Sequence, residues 1–409
     1  MQVIETECCI AGGGPAGIML GYLLARQGVD VVVVEKHKDF LRDFRGDTVH
    51  PSTMQVLHEL GLLDTFLKRD FQKTEHIGLN AGGRHYRMVD FSHLPTAAKF
   101  IAFMPQWDFL DFLASEARKL PGFQLMMETR AERLMGRDGQ VTGICAKKGD
   151  EDFKIRAKLT VACDGRDSTL REAGRLKQVQ QGVPFDVLWF RLPRNVRDAS
   201  SESLGHLARG GFLVSINRGS YWQAALVIEK DGFDGIQQDG LAAFRDRVST
   251  IAPELAEEAQ SIESFDDVKL LRVEVNRLRK WWRDGLLAIG DAAHAMSPVG
   301  GVGINLALQD AVAAARIIGP ALKKGSLSND ILEKVQKRRE WPAEITQAVQ
   351  VFAHERVIMP TIRGKSSGDA PFIVRLLDKV PILRRLPARA VGMGPRPEHW
   401  PKELDQAGR

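Results

Sequence analysis

The sequence predicts an α/β protein: a parallel sheet covered on both faces, a second antiparallel sheet set into it, and a helical tail. Three observations carry that expectation. Residues 5–11 read as a strand and 15–28 as an amphipathic helix, and Val-Asp-Val-Val-Val-Val-Glu-Lys (29–36) is an almost unbroken β-branched run, so the chain opens as a βαβ unit. Residues 183–192, 211–217 and 221–229 are strand-rich and aromatic and are separated by Gly and Arg-Gly-Ser turns, the pattern of an antiparallel sheet. After residue 290 helical segments with basic turns dominate.

Between these landmarks the chain reads in order. Residues 51–69 are helical, opened by Pro51-Ser52, and 76–91 form a hairpin around an Asn-Ala-Gly-Gly turn. Residues 107–120 are helical again. Short strands follow from 123 to 163, with a turn at Arg137-Asp138-Gly139 and a buried terminal run, Leu-Thr-Val-Ala-Cys. A helix is expected at about 240–259, strands at 267–276 and 286–289, and a helix running to about 318. There is no internal repeat and no low-complexity linker. The implied organisation is a first domain of 1–75, 100–180 and 277–340, a β-rich insertion of 76–99 and 181–276, and a helical segment of 341–409.

Composition narrows the class. At 44% apolar and 27% charged residues the 409-residue chain has ordinary globular usage. No apolar run reaches about 18–20 residues, so no membrane-spanning helix is expected. The N-terminus lacks a basic flank before its apolar stretch, against a cleaved secretory signal. Cys8, Cys9, Cys145 and Cys163 show no metal spacing and fit reduced thiols in a cytoplasmic protein; no metal site is expected. The net charge of +5 comes with no run of five like charges and no nucleic-acid motif, which argues against polyanion binding.

Three motifs carry chemistry. Gly12-x-Gly14-Pro15-Ala16-Gly17 follows a strand and opens a helix, and Glu35 ends the next strand. That is the context in which glycines let a backbone approach a pyrophosphate and an acid accepts ribose hydroxyls, a Rossmann-like unit. Glu35 also disfavours a 2′-phosphorylated ribose, since two anions would meet. The second motif, Cys163-Asp164-Gly165-Arg166-Asp167-Ser168, places a carboxylate and bare backbone after a buried strand; alone, it is equally a turn before a helix capped by Ser168. The third is Gly290-Asp291-Ala-Ala-His294-Ala-Met-Ser-Pro298-Val-Gly-Gly301-Val302-Gly303-Ile304-Asn305. Asp291 is expected to end a buried strand and hold a polyol. The glycines expose N–H groups at a helix start, where partial positive charge suits an anion or a ring that gains electrons.

In that order and context the trio resembles the FAD-dependent aromatic hydroxylases of the para-hydroxybenzoate hydroxylase-like family, over roughly residues 5–340. The resemblance implies a GR2-type FAD-binding domain with a β-sheet substrate domain. It implies that Gly12, Gly14, Pro15, Ala16, Gly17, Glu35 and Lys36 hold the ADP half of non-covalent FAD. Arg45 and Gln106 would contact its backbone and phosphates or ribityl chain. Gly290 and Asp291 would hold the ribityl chain, Gly301–Asn305 the isoalloxazine edge, and Asp164-Gly165 both FAD and NAD(P)H. Pro298, Gly301 and Gly303 are the positions carried over as catalytic.

The implied reaction uses transient NAD(P)H and O₂, passes through a flavin C4a-hydroperoxide and hydroxylates an aromatic or polycyclic small molecule. A reductase or dehydrogenase on the same fold, and a non-catalytic FAD-binding protein, are the alternatives. A halogenase would carry Trp-x-Trp-x-Ile-Pro, which is absent. Candidate substrate-lining residues are His50, Trp189, Arg191, Phe212, Tyr221, Trp222 and Gln223, of which alternation lets every second strand residue face inward. For His50, His294, Asp47 and Asp167 a structural hydrogen-bonding role is the plainer reading. Between Phe372 and Val391 the tail mixes apolar residues with Lys379, Arg384, Arg385 and Arg389; it reads as a basic packing helix, with membrane-surface contact the alternative. Monomer and homodimer are both compatible with the sequence.

Overall fold

The structure, a computed structural model, describes residues 2–41, 48–194, 204–364 and 368–405. Its first sheet has five parallel strands in the order Leu286–Ala288, Glu151–Ala162, Gln2–Ala11, Val31–Val34 and Phe123–Met126. The β-branched and apolar run Val31–Val34 is buried at every position, as a central parallel strand must be. The hairpin Thr129–Arg137/Gln140–Lys148 extends the sheet along Glu151–Ala162; its turn puts Asp138 and Gly139 at φ 53° and 85°. The helices Pro15–Arg26, Gln106–Ala117 and Val302–Lys323 pack together against this sheet in one large core.

The second sheet has seven strands, ordered Lys269–Leu271, Phe185–Pro193, Tyr221–Glu229, Gly211–Asn217, Leu204–Ala208, His76–Ala81 and Arg84–Asp90. The hairpin His76–Asp90 therefore belongs to it, joined by a parallel pairing of Leu204–Ala208 with His76–Ala81. Register assigns its faces, because directly paired residues share one. Leu188, Phe190, Leu192, Leu213, Ala224 and Leu226 pack on the helix Leu241–Ile251. Val187, Trp189, Phe212, Val214, Ala225 and Val227 face the opposite way, toward Val299, Met359 and Ile362.

The helix Val302–Lys323 runs five residues past the expected end, through Pro320. It is long and apolar enough to cross a membrane but is mostly buried, the core helix between the sheet and its neighbours. The expected helix at 240–259 is divided into Leu241–Ile251 and Ala256–Ala259 around Pro253. The helix Asn329–Ala353 passes straight through residue 340, so the tail does not begin at a structural break.

A buried ionic knot ties this tail to the first domain. Asp310, fully buried, accepts from the Gly290 N–H at 3.1 Å, from His294 Nε2 at 2.5 Å and from Arg339 Nε at 2.9 Å. Burial pushes its carboxyl upward, but His294 and Arg339 outweigh that and hold it below the ordinary range. Arg339, 1% exposed, also donates to Glu398, whose carboxylate receives Arg338 and Arg316 as well. Breaking a buried pair strands an uncompensated charge, at a cost of about 3–5 kcal/mol. Glu398→Ala should lower unfolding free energy by about that much in urea titration; a loss under about 1 kcal/mol would show that water already solvates these guanidinium groups.

Candidate active site and cofactor cradle

The three motifs converge through contacts that only glycine permits. Gly12 lies at φ 107°, and a Cβ there would stand 2.2 Å from the Cys163 carbonyl oxygen, so the first motif touches the second. A Cβ on Gly17 would stand 1.9 Å from the Gly12 carbonyl oxygen, which lets the helix start directly under the strand end. Gly290, at φ 60°, sits against Ala16 and Ala307, bringing the third motif onto the first. Gly14 differs: a Cβ there meets nothing within 4 Å. It is the N-cap of Pro15–Arg26, a helix with no side-chain cap and no acid in its first turn. Its leading N–H groups and partial positive charge therefore face open space.

Beside that opening the buried Glu35 carboxylate accepts from the Gly13 N–H at 2.8 Å through Oε2 and from the His37 N–H at 3.1 Å through Oε1. Lys36 points into solvent. Gln106 is the first residue of its helix and half-buried. Arg45 and Asp47 lie outside the described residues.

Several expected roles change. Asp291 does not end a strand: the strand stops at Ala288, and Asp291 sits in the single turn Gly290–Ala292, 36% exposed and 3.3 Å from Arg166. Asp164 turns inward, accepting from Ser168 Oγ and at 3.1 Å from the Leu170 N–H, while Ser168 caps the helix start by accepting from Arg171 N. Its carboxyl is raised, chiefly by burial. That carboxylate organises the turn, leaving the bare Gly165, φ 87° with open space around it, as the exposed element of the motif. Asp167 is exposed, and His294 belongs to the ionic knot.

The glycine turn of the third motif is gripped from both sides. Gly300 and Gly301 have φ 81° and 63°. The Pro298 carbonyl accepts from the Gly301 N–H at 3.0 Å, closing the turn. Thr48 Oγ1 donates to the Gly301 carbonyl at 3.0 Å, and His50, fully buried, bridges the Val391 carbonyl at 2.8 Å and the Thr48–Gly301 pair. His50 is thus a brace for the turn and not a substrate contact. Ser52 and Thr53 both donate to Asn305 Oδ1 at 2.8 Å, which fixes the first turn of Val302–Lys323. From the other side Gln350 Nε2 donates to the Ser297 and Val299 carbonyls, both at 2.9 Å, and His354 Nε2 meets Ser297 Oγ at 3.0 Å. The helix Val302–Lys323, like Pro15–Arg26, starts without a side-chain cap or an early acid, and a Cβ at Gly303 would meet only Met296 Cβ, in ordinary contact at 3.8 Å.

Across from this turn stands the apolar face of the second sheet, with Val299 in the same cluster as Trp189, Phe212 and Val214. Trp222 is on the other face: it is 3% exposed among Leu188, Leu213 and Phe244, with Arg194 over its ring at 5.2 Å. Tyr221 stacks with Arg191, whose guanidinium lies 4.9 Å from the ring centre, at the strand edge. Gln223 accepts from Arg218 Nε at 2.8 Å. Among these side chains Trp189 is distinctive in spanning two apolar clusters; its buried Nε1, like that of Trp222 on the other face, has no partner among the described residues.

Comparison with known proteins agrees with this geometry. Residues 5–349 match the family model described as FAD binding domain. The chain belongs to the FAD-dependent aromatic hydroxylase family. It is 32% identical over 399 residues to the 6-methylpretetramide 4-monooxygenase of Streptomyces rimosus, covering 93% of this chain and 92% of that protein. The fold is shared with the p-nitrophenol 4-monooxygenase of Pseudomonas putida DLL-E4 (TM-score 0.75, 20% identity, 97% and 100% of the two chains). It is also shared with a probable FAD-dependent monooxygenase of Pseudomonas aeruginosa (TM-score 0.74, 21% identity, 88% and 98%). As a family member the protein is an FAD-dependent monooxygenase, an oxidoreductase.

The cradle suits FAD on its own terms. Two helices start without side-chain caps at glycines: Gly14 faces open space beside the buried Glu35 carboxylate, and Gly303 is bounded only by ordinary contact with Met296. The sequence did not single out Thr48, Gln350 or His354, which lie about fifty or more residues from the backbone they hold; only contact in the folded chain marks them.

Gly14→Ala and Gly17→Ala separate cradle from scaffold. Gly17→Ala should cost folding several kcal/mol, of order ~3 or more, because backbone must move. Gly14→Ala should keep the melting temperature within a few degrees yet weaken FAD binding at least about ten-fold, read by flavin fluorescence; unchanged FAD affinity would displace the cofactor from this helix start.

Acid should also act through His354. Burial lowers its pKa to about 4, whereas an unfolded imidazole titrates near pH 6.5. As pH falls through that window the unfolded chain takes up the extra proton, so stability declines from about pH 6.5 to about pH 4, by up to about 3 kcal/mol. Burial lowers the His50 pKa too, despite the Val391 and Gly301 carbonyls, and adds with the same sign. His354→Gln should flatten the decline measured by denaturation at stepped pH; an identical profile would remove His354 from the account.

Proposed function

We propose that this monooxygenase hydroxylates a neutral phenolic or polycyclic aromatic, with NAD(P)H as transient electron donor. The observation that carries the reading is the facing of the Pro298–Gly303 turn by an apolar sheet surface on which Trp189 Nε1 is buried with no hydrogen-bond partner among the described residues. A donor-only group in an apolar wall suits one carbonyl or phenolic oxygen on an otherwise apolar ring system. The 6-methylpretetramide 4-monooxygenase of Streptomyces rimosus, similar over nearly its whole length, supports a polycyclic class.

In this reading Gly12, Gly14, Gly17 and Glu35 hold the ADP half of FAD, Asp291 the ribityl chain, and Gly301–Asn305 the isoalloxazine edge. FAD, when bound and reduced, supplies the activation of O₂ and the transfer of one oxygen atom to the ring. The residues around it orient and insulate. The start of Val302–Lys323 would offer its partial positive charge to a flavin ring held there, favouring the reduced, negatively charged form. Gln350, Thr48 and His50 hold the turn that sets the distance between ring and substrate. The apolar sheet face excludes water. All four cysteines are free, three of them buried, which fits a reducing cytoplasmic setting.

The deciding experiment supplies NADPH or NADH under ¹⁸O₂ with a panel of phenols and fused-ring aromatics. Stimulated NAD(P)H oxidation and one labelled oxygen in the product are expected. Turnover that proceeds equally with another electron acceptor and leaves no label would make the enzyme a flavin reductase or dehydrogenase.

A further inference from the structure

The tail packs on the core through a narrow face. Of the helix Phe372–Lys379 only Val374 is buried, and of Arg385–Gly392 only Ala388 and Gly392; both helices rest on the strand Arg84–Asp90. The largest apolar side chains point outward instead: Phe372 is 74% exposed, Leu386 67% and Ile382 62%. Cations stand among them, with Arg375, Lys379, Arg385 and Arg389 exposed on the helices and Arg84 and Arg87 exposed on the strand below. The acid within this stretch, Asp378, is already engaged by the Arg87 N–H at 3.0 Å and by Arg384 at 3.6 Å.

We propose that this face docks on an anionic lipid surface. Separate apolar knobs ringed by cations match an interface where rings and alkyl chains enter the headgroup region and the cations meet lipid phosphates. A protein groove would call for a continuous apolar ridge. Such a ridge exists elsewhere, along Trp341, Ile345, Val349 and Phe352 of the long helix, and it lacks the cation ring. The lipid face lies directly behind the site: Ala388, Val391 and Met393 pack in the same cluster as Trp189 and Val214, and the Val391 carbonyl braces His50. A lipophilic substrate dissolved in the bilayer would meet the enzyme beside its apolar wall.

Co-sedimentation of the FAD-loaded protein with phosphatidylcholine vesicles, with and without phosphatidylglycerol, tests this. Binding to the anionic vesicles is expected, at least about ten-fold stronger than to phosphatidylcholine alone and weakened by added salt. Phe372→Asp combined with Ile382→Asp should lose at least about ten-fold in binding with an unchanged melting temperature, while Val349→Asp should bind as the parent does. Should the double variant misfold, a fluorophore on Ile382→Cys reads the same contact, blue-shifting with anionic vesicles only. No binding at low salt, equal binding by a folded double variant, or loss caused by Val349→Asp instead would each overturn the proposal.

Discussion

Bare backbone at the meeting point of three strand ends is the constraint on which the rest depends. Gly12, Gly17 and Gly290 sit where a single added carbon would strike a carbonyl oxygen or an alanine methyl. That closeness places the Pro15–Arg26 helix under the first strand, sets the Cys163–Gly165 turn beside it and lays the Gly290–Ala292 turn across its second residue, Ala16. The exposed N–H groups at two helix starts are useful only because the glycines let a ligand approach them. Side-chain chemistry contributes less here than geometry, as expected where a cofactor brings the reactivity.

The second constraint is charge. Asp310 carries the Gly290 N–H on one oxygen and Arg339 on the other, and Arg339 continues to Glu398 near the chain's end. A buried network of this kind adds little net stability over an apolar core, but it is intolerant of partial loss. It therefore specifies one arrangement of turn, core helix, long helix and tail. The tail is thereby held as part of the scaffold of the site. Its return places Val391 beside His50 and carries the apolar, cationic outer face around behind the substrate wall.

Around the Pro298–Gly303 turn the division of labour is clear. His50 and Thr48 brace one side and Gln350 and His354 the other, and burial lowers the pKa of both histidines. The sheet opposite supplies apolar surface, with the buried Trp189 Nε1 unpartnered among the described residues.

Local rules were enough for the sequence to determine the βαβ opening, the glycine motif with Glu35, the hairpin at 76–91 and the helix after Gly301. Each depends on periodicity, turn chemistry or φ preference within a few residues, and each is present in the structure. The motif order in turn marked the cofactor and the family. What a side chain meets was decided by the fold alone. Trp189 and Trp222 look alike in sequence, yet strand register sends one to the site and the other into the helical layer. Asp164 and Asp291 both follow strands, yet one is consumed by its own turn while the other stays half-open toward Arg166. Gln350 and His354 reach the turn from some fifty residues away. Periodicity states that a face exists; only packing between distant segments states what that face is turned toward.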